Sequence, residues 1–334
     1  MMKRARAIFV LPVLALVLAS AGAVQAQQRE RVQFRFNWII NGQHAPFFLA
    51  QEKGYWLEEG LDVKINEGKG TQISLNVVAN GVEQFSIADL ATSAKAIVQG
   101  MPVKAIFAYN QLSPMAIISQ PEANIRSPRD LVGKTIASSA ASSNRQIFPA
   151  LLKAHNVDID KIRLVTVDGG AEPAILRAKK ADAVLLYFFD YGPILESQGV
   201  KHSILKYSDW GVNLLGTGII THPRTLAERP DFVRRFLRPI QRGFQQAIRN
   251  PEEAVDAQLK LWERARAKEV EQKILLNSLS MLSTPNSKSL PIGGMAKKDW
   301  EATQDLLRQY GGLPKTLPVE QYYTNEPLSP IMAP

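Results

Sequence analysis

Trp38, Asn41 and His44 stand close together, between an apolar run and Pro46. An indole offers a flat face for stacking, an amide offers both donors and an acceptor, and an imidazole titrates near neutrality. Such a set suits the holding of a planar polar molecule. Similar residues recur along the chain, each group after a short apolar run: Gln43 beside the first set, then Gly68, Gly70 and Thr71, then Asp89, Thr92 and Ser93, then Tyr109, Asn110 and Gln111. "SSAASSN" follows, with Ser139, Ser142, Ser143 and Asn144 as candidates; then "DGGAE" at 168–172; then "YFFDY", with Tyr187, Asp190 and Tyr191. Glu196 lies a little beyond. Trp38, Tyr109, Tyr187 and Tyr191 could stack on a ring, while hydroxyl groups and free helix amides would suit an anion or a polar heterocycle.

Each residue has a plainer role in competition. Trp38 could fill a gap between sheet and helix, His44 could cap the helix that starts near Pro46, and the serines could serve only the helix that follows them. Asp89 could tie its own loop together, and Glu196 suits a wet surface.

Motifs for catalysis are missing. "VGKTIA" holds Gly-Lys-Thr, but Pro128 stands where a phosphate-binding loop needs its first glycine, and the stretch leads into a strand rather than a helix. "GKGTQI" lacks the third glycine of a dinucleotide site, no Gly-x-Ser-x-Gly elbow occurs, and the four histidines form no His-x-x-x-His pair. The chain has no cysteine, which excludes disulfides, thiolate metal sites and a cysteine nucleophile. No cofactor and no catalysis are expected.

The elements that must position these groups alternate. "RVQFRFNW" has Val32, Phe34 and Phe36 on one face and reads as a strand; "APFFLAQEKGYWLEEG" reads as one helix. "LDVKINEG" is strand, "TQISLNVVANG" is helix with Thr71 as its cap, "EQFSIADL" is strand, "TSAKAIVQG" is helix and "PVKAIFAYN" is strand. Such an order argues for a largely parallel, doubly wound sheet. The rhythm restarts at "MAIISQ" and runs to residue 214; "GTGIITH" is a further strand and the C-terminal third is mainly helical. We expect an α/β fold of two lobes, with residues 27–112 and 215–334 in lobe I and 113–214 in lobe II. In open α/β sheets ligands bind beyond the carboxyl ends of strands, which is where every polar group above falls.

The N-terminus indicates compartment. Lys3, Arg4 and Arg6 precede an apolar run from Ala7 to Leu18, and Val24-Gln25-Ala26 has the form of a cleavage site. Residues 1–26 therefore read as a signal peptide, too short in its apolar part for a spanning helix of ~20 residues. Its removal lowers the formal charge from +9 to +6. The densest cationic stretch, "RPDFVRRFLRPIQR", spaces Phe232, Phe236, Ile240 and Phe244 by four, so its arginines read as the wet face of an amphipathic helix and not as a nucleic-acid site. A periplasmic, monomeric protein is expected.

The stretches "APFFLAQEKGYWLEEGLDVKI", "GVEQFSIADLATSAKAIVQGMPVKAIFAYNQLSPMAIIS" and "IRSPRDLVGKTIA" resemble the periplasmic solute-binding proteins of ABC importers, in the branch for nitrate, taurine, alkanesulfonates and thiamine pyrimidine precursors. The resemblance covers nearly the whole mature chain. It implies a type II-like periplasmic-binding-protein fold, each lobe a mainly parallel sheet flanked by helices, with a hinge between the lobes near Asn110–Pro114 and Asn213–Gly218. It also implies a small-molecule ligand and delivery to an inner-membrane permease with its ATPase. Trp38, Asn41 and His44 match the pattern of the pyrimidine binders, whereas the serine-rich helix start matches the sulfonate binders. The balance favours an aminopyrimidine-like ligand, whose exocyclic amine Asp190 or Glu196 could accept. Related pyrimidine-making enzymes carry a cysteine-rich iron motif, from which this cysteine-free chain departs.

Overall fold

Alternation of apolar and polar side chains builds the first strand: Val32 and Phe34 point inward and are fully buried, while Arg31, Gln33 and Arg35 are not. The computed structural model describes residues 29–334, so the expected signal peptide and its cleavage site lie outside the described residues. Ten strands follow in chain order: β1 (Glu30–Arg35), β2 (Leu61–Asn66), β3 (Phe85–Asp89), β4 (Lys104–Asn110), β5 (Met115–Ser119), β6 (Thr135–Ser138), β7 (Arg163–Thr166), β8 (Ala183–Tyr187), β9 (Ser203–Lys206) and β10 (Thr217–Thr221).

The strands form two five-stranded sheets, ordered β2-β1-β3-β10-β4 and β7-β6-β8-β5-β9. In the first, β1 pairs in parallel with β2 and β3, and β10 lies antiparallel between β3 and β4. The second repeats the pattern: β6 is parallel to β7 and β8, and β5 is antiparallel to β8 and β9. Each sheet thus has one strand running against four. The largely parallel expectation holds for those four, and the antiparallel strand is what each lobe receives from a crossing of the chain. Helices flank both sheets, giving the two-lobed α/β architecture.

Two local readings need correction. The helix expected over residues 45–60 is two helices, Ala45–Glu52 and Tyr55–Glu58, because Gly54 adopts φ 71°, a left-handed conformation that ends the first. Thr71 does not cap the helix Thr71–Ala79; Gly70 holds that position, and the Thr71 hydroxyl accepts the Asp89 N–H at 3.1 Å instead.

The helix Pro230–Arg249 carries the lobe I core. Phe232, Phe236, Ile240 and Phe244 are buried, as their spacing of four requires. The Phe236 ring stacks on Phe85 at 3.7 Å between centroids, meets Phe34 edge-on at 5.1 Å and lies 6.0 Å from Trp56. The Trp56 indole donates to the Phe236 carbonyl at 2.9 Å. On the outer face, Arg235 pairs with Glu30 and Arg238 with Glu59, at 3.2 and 2.8 Å. Among the described residues no helix is long and apolar enough to cross a membrane.

Because Phe236 touches three other rings, Phe236→Ala should cost about 3–5 kcal/mol of unfolding free energy, measured by urea titration. A loss under ~1 kcal/mol would show that the lobe I core is not organised around this ring.

Candidate ligand-binding site

Both sheets point the carboxyl ends of their parallel strands at the same seam, which brings the polar groups after those strands face to face. A small cavity of about 30 Å3 lies there. Asn37, Trp38, Gln43, Gly70 and Thr71 line it from the first sheet; Ser142, Ser143, Asn144, Leu185, Leu186, Tyr187, Asp190 and Tyr191 line it from the second.

Four hydrogen-bonding contacts cross the seam at the cavity; beyond it Lys95 donates to the Gln146 carbonyl at 3.2 Å, Asn277 donates to the Phe189 carbonyl at 3.0 Å, and Lys273 pairs with Glu196. The Trp38 indole Nε1–H donates to the Tyr191 hydroxyl at 2.8 Å, and Asn41 Nδ2 donates to Asp190 Oδ2 at 3.1 Å. Thr71 and Ser143 hydroxyls lie 3.5 Å apart, and the Tyr187 hydroxyl reaches Asp89 Oδ2 at 3.5 Å. Ser143 and Tyr187 hydroxyls are joined at 2.8 Å within the second lobe. Backbones also approach: a Cβ on Gly70, whose φ is 133°, would lie 2.5 Å from the Ala141 carbonyl oxygen. Glycine there lets the jaws touch.

Three helices begin at the cavity without a side-chain cap: Thr71–Ala79, Ser143–Ala154 and Phe188–Ser197. Their first N–H groups lack partners within the helix and carry the positive end of the helix dipole. Two carboxylates sit at the same seam. Burial pushes Asp89 up to about 7, only partly offset by the bond it accepts from the Thr92 N–H at 2.7 Å. Burial likewise pushes Asp190 up to about 7, against the bond from the Tyr191 N–H. Among the described residues neither carboxylate is in an ion pair, and no lysine or arginine lines the cavity. Burial raises the hydroxyls of Tyr109, Tyr187 and Tyr191 as well, with Asp190 adding to Tyr109 and Tyr191 and Asp89 to Tyr187.

Trp38, Ser142, Ser143, Asn144, Tyr187, Asp190 and Tyr191 are thus placed at the cavity, and Asn41 and Asp89 stand directly behind it. Others lie elsewhere. His44 faces the core: it stacks on Phe36 at 4.4 Å and its Nδ1 accepts the Asn41 N–H at 3.1 Å. Burial lowers its pKa to about 3, so it is a neutral member of a capping box with Asn41. Tyr109 packs against Phe47 and Phe244 behind Gln43. Thr92 serves the Asp89 cap through its N–H, and Ser139 gives its N–H to Glu172. Glu196 is on the outer surface, paired with Lys273, away from the cavity. Asn37, Gln43, Gly70, Thr71, Leu185 and Leu186 complete the lining. Counting residues after each strand brought Gln43, Gly70 and Thr71 into view; Asn37 was hidden because the first strand ends at Arg35, earlier than its pattern suggests.

A carboxyl group raised from 3.8 to about 7 binds its proton more tightly in the folded than in the unfolded chain. Its contribution is therefore fully favourable below pH ~4 and is lost as pH rises to ~7. Asp89→Asn keeps an acceptor for the Thr92 N–H and removes the titration. The stability of this variant relative to the parent should increase between pH 4.5 and 8, read from paired urea titrations; a difference independent of pH would contradict the raised value.

The chain is similar to known proteins in sequence and in fold. The riboflavin-binding protein RibY of Chloroflexus aurantiacus is 28% identical over 304 residues, covering 89% of this chain and 86% of that one. A formylaminopyrimidine-binding protein of Halalkalibacterium halodurans is 25% identical over 89% of this chain and 90% of its own. A 4-amino-5-hydroxymethyl-2-methylpyrimidine phosphate synthase of Legionella pneumophila is 22% identical over 89% and 92%. In fold, the alkanesulfonate-binding protein SsuA of Xanthomonas axonopodis pv. citri, solved with MOPS, superposes with a TM-score of 0.68 at 15% identity, over 89% of this chain and 99% of that one. Residues 41–254, well over half the chain, match the NMT1/THI5 like family, and the chain belongs to that family.

Proposed function

We propose that this chain is an extracytoplasmic solute-binding protein that captures a neutral, amino-substituted heteroaromatic molecule between its lobes and hands it, unaltered, to an ABC permease. The observation that carries the reading is the composition of the seam: two buried carboxylates outside any ion pair, aromatic walls and no lining cation among the described residues. A carboxylate accepts hydrogen bonds, and a protonated one also donates, so ring N–H groups and exocyclic amines fit. Trp38, Tyr187 and Tyr191 supply flat faces. The pyrimidine- and flavin-binding names of two relatives point the same way.

Access requires motion. A cavity of about 30 Å3 has room for about one water, so a ring enters only when the lobes part. The chain passes between the sheets from Asn110 to Met115 and from Lys206 to Thr217. Hinge points at Asn110–Pro114 and Asn213–Gly218 then divide lobe I (27–112 and 215–334) from lobe II (113–214). Ligand contacts would replace the Trp38–Tyr191 and Asn41–Asp190 bonds that now close the seam. Closure on a ligand would create the surface that the permease reads.

A second reading takes its support from the three uncapped helix starts, which suit a sulfonate or nitrate. Two buried acids oppose it, since an anion beside them would suffer like-charge repulsion in a poorly screened site. An exported enzyme is the third reading, supported by the name of the Legionella relative.

Calorimetric titration with 4-amino-5-hydroxymethyl-2-methylpyrimidine, taurine and nitrate distinguishes these. The pyrimidine alone should bind, and Trp38→Ala should weaken it by about 1 kcal/mol through lost stacking. Binding of taurine or nitrate alone would overturn the heteroaromatic reading. Mass spectrometry of the pyrimidine recovered after incubation should show its original mass; a changed mass would establish an enzyme.

A further inference from the structure

The loops that carry the lining side chains are not held by their strands alone. On lobe I, Glu67 follows β2, yet its Oε1 accepts the N–H of Ile40, in the loop after β1, at 3.0 Å. Its Oε2 accepts from Arg264 at 3.0 Å, and its backbone carbonyl accepts from Arg35 at 3.1 Å. The two loops are zipped further by the Gly70 N–H on the Asn37 carbonyl at 2.7 Å. A Cβ on Gly68 would lie 1.8 Å from the Phe36 carbonyl oxygen, so nothing larger than glycine allows this approach.

On lobe II, Glu172 follows β7. Its Oε1 accepts the N–H of Ser139, in the loop after β6, at 3.1 Å, and its Oε2 accepts the N–H of Gly170 at 2.8 Å. Glu172 is fully buried, with both oxygens spent on backbone donors. The loop it secures presses on the opposite jaw: a Cβ on Gly169 would lie 3.1 Å from the Trp38 ring, and one on Gly170 would lie 2.4 Å from the Ile39 side chain.

The two carboxylates occupy matching places. β1 and β2 are the parallel edge pair of one sheet, and β6 and β7 are the parallel edge pair of the other. In each lobe a glutamate after the outermost strand takes a backbone N–H from the loop after its neighbour. We propose that Glu67 and Glu172 are a matched pair of positioning residues, each stapling two site loops together, and that jointly they set where Trp38 stands in the seam. The inference rests on the reading of the seam as the ligand site only for its functional meaning. Loop positioning itself is tested without ligand.

The test follows the Trp38 indole N–H by NMR in the full mature chain, its resonance assigned by its loss in Trp38→Phe. Glu67→Ala and Glu172→Ala should each shift or broaden that signal while most of the backbone spectrum stays in place. Glu67→Gln keeps an oxygen for Ile40 and should restore the parent signal, although its bond to Arg264 is weakened. Glu172→Gln can satisfy only one of its two donors, so it should shift the signal too; it also covers the case in which Glu172→Ala does not fold. An unmoved Trp38 signal in Glu67→Ala and Glu172→Gln, whatever their melting temperatures, would reduce both residues to general stabilisers and overturn the proposal. So would a Glu67→Gln spectrum that matches Glu67→Ala. Failure of the pyrimidine to bind, with the Trp38 shifts intact, would instead count against the ligand assignment alone.

Discussion

Two carboxylates, Asp89 and Asp190, are buried without an ionic partner where the two sheets meet, at a cost in desolvation. Asp89 caps a helix from lobe I, and Asp190 sits in the first turn of a helix from lobe II. Each holds its proton to a higher pH than a free carboxyl, up to about 7, because removing a charge from water costs more than one or two hydrogen bonds return. A core built for stability alone would replace such groups with apolar ones of similar volume. In the function proposed above, the two carboxylates and Trp38, Tyr187 and Tyr191 would form a surface that meets water or a polar guest when the lobes part, and the opposite lobe when they shut.

At the cavity the seam is correspondingly polar. Its two shorter bonds at the cavity are single ones from Trp38 to Tyr191 and from Asn41 to Asp190, each of a kind worth about 1 kcal/mol net. By contrast the lobe I interior holds interlocked rings around Phe236, and the lobe II interior packs Phe148, Leu151 and Leu185 against β5 and β6 residues. Apolar side chains of the two lobes also pack together, Leu75 and Leu90 in one buried cluster with Phe148 and Leu185, and Ile274 with Phe189, so the polar contact is local to the cavity. The glycines at 70, 169 and 170 bring backbone near backbone, near the Trp38 ring and near the Ile39 side chain across the seam.

Much of the architecture was legible in the chain. Period-two burial at Val32 and Phe34, and the spacing of four from Phe232 to Phe244, are one-dimensional patterns that survive folding. Counting polar residues after each strand located one edge for the candidate site, since topology places strand ends before side chains are known. What escaped was orientation. Asp190 and Glu196 share one helix, yet six residues turn the chain about 240° further round its axis, so the first faces the cavity and the second faces solvent. His44 falls within a tight turn, Gly42–His44, that rotates its ring onto Phe36. The antiparallel insertion of β10 was likewise hidden, because a strand's own pattern does not name its partners.

The central claim is that these lobes part to admit a ring and shut upon it. The absence of native cysteine allows a clean pair of spin labels at Lys64 and Lys161, both exposed and on different lobes. Pulsed electron resonance should then show a longer distance beside that of the closed arrangement, and 4-amino-5-hydroxymethyl-2-methylpyrimidine should gather the population into the shorter one. A single distance, unchanged when the pyrimidine is bound, would contradict the account.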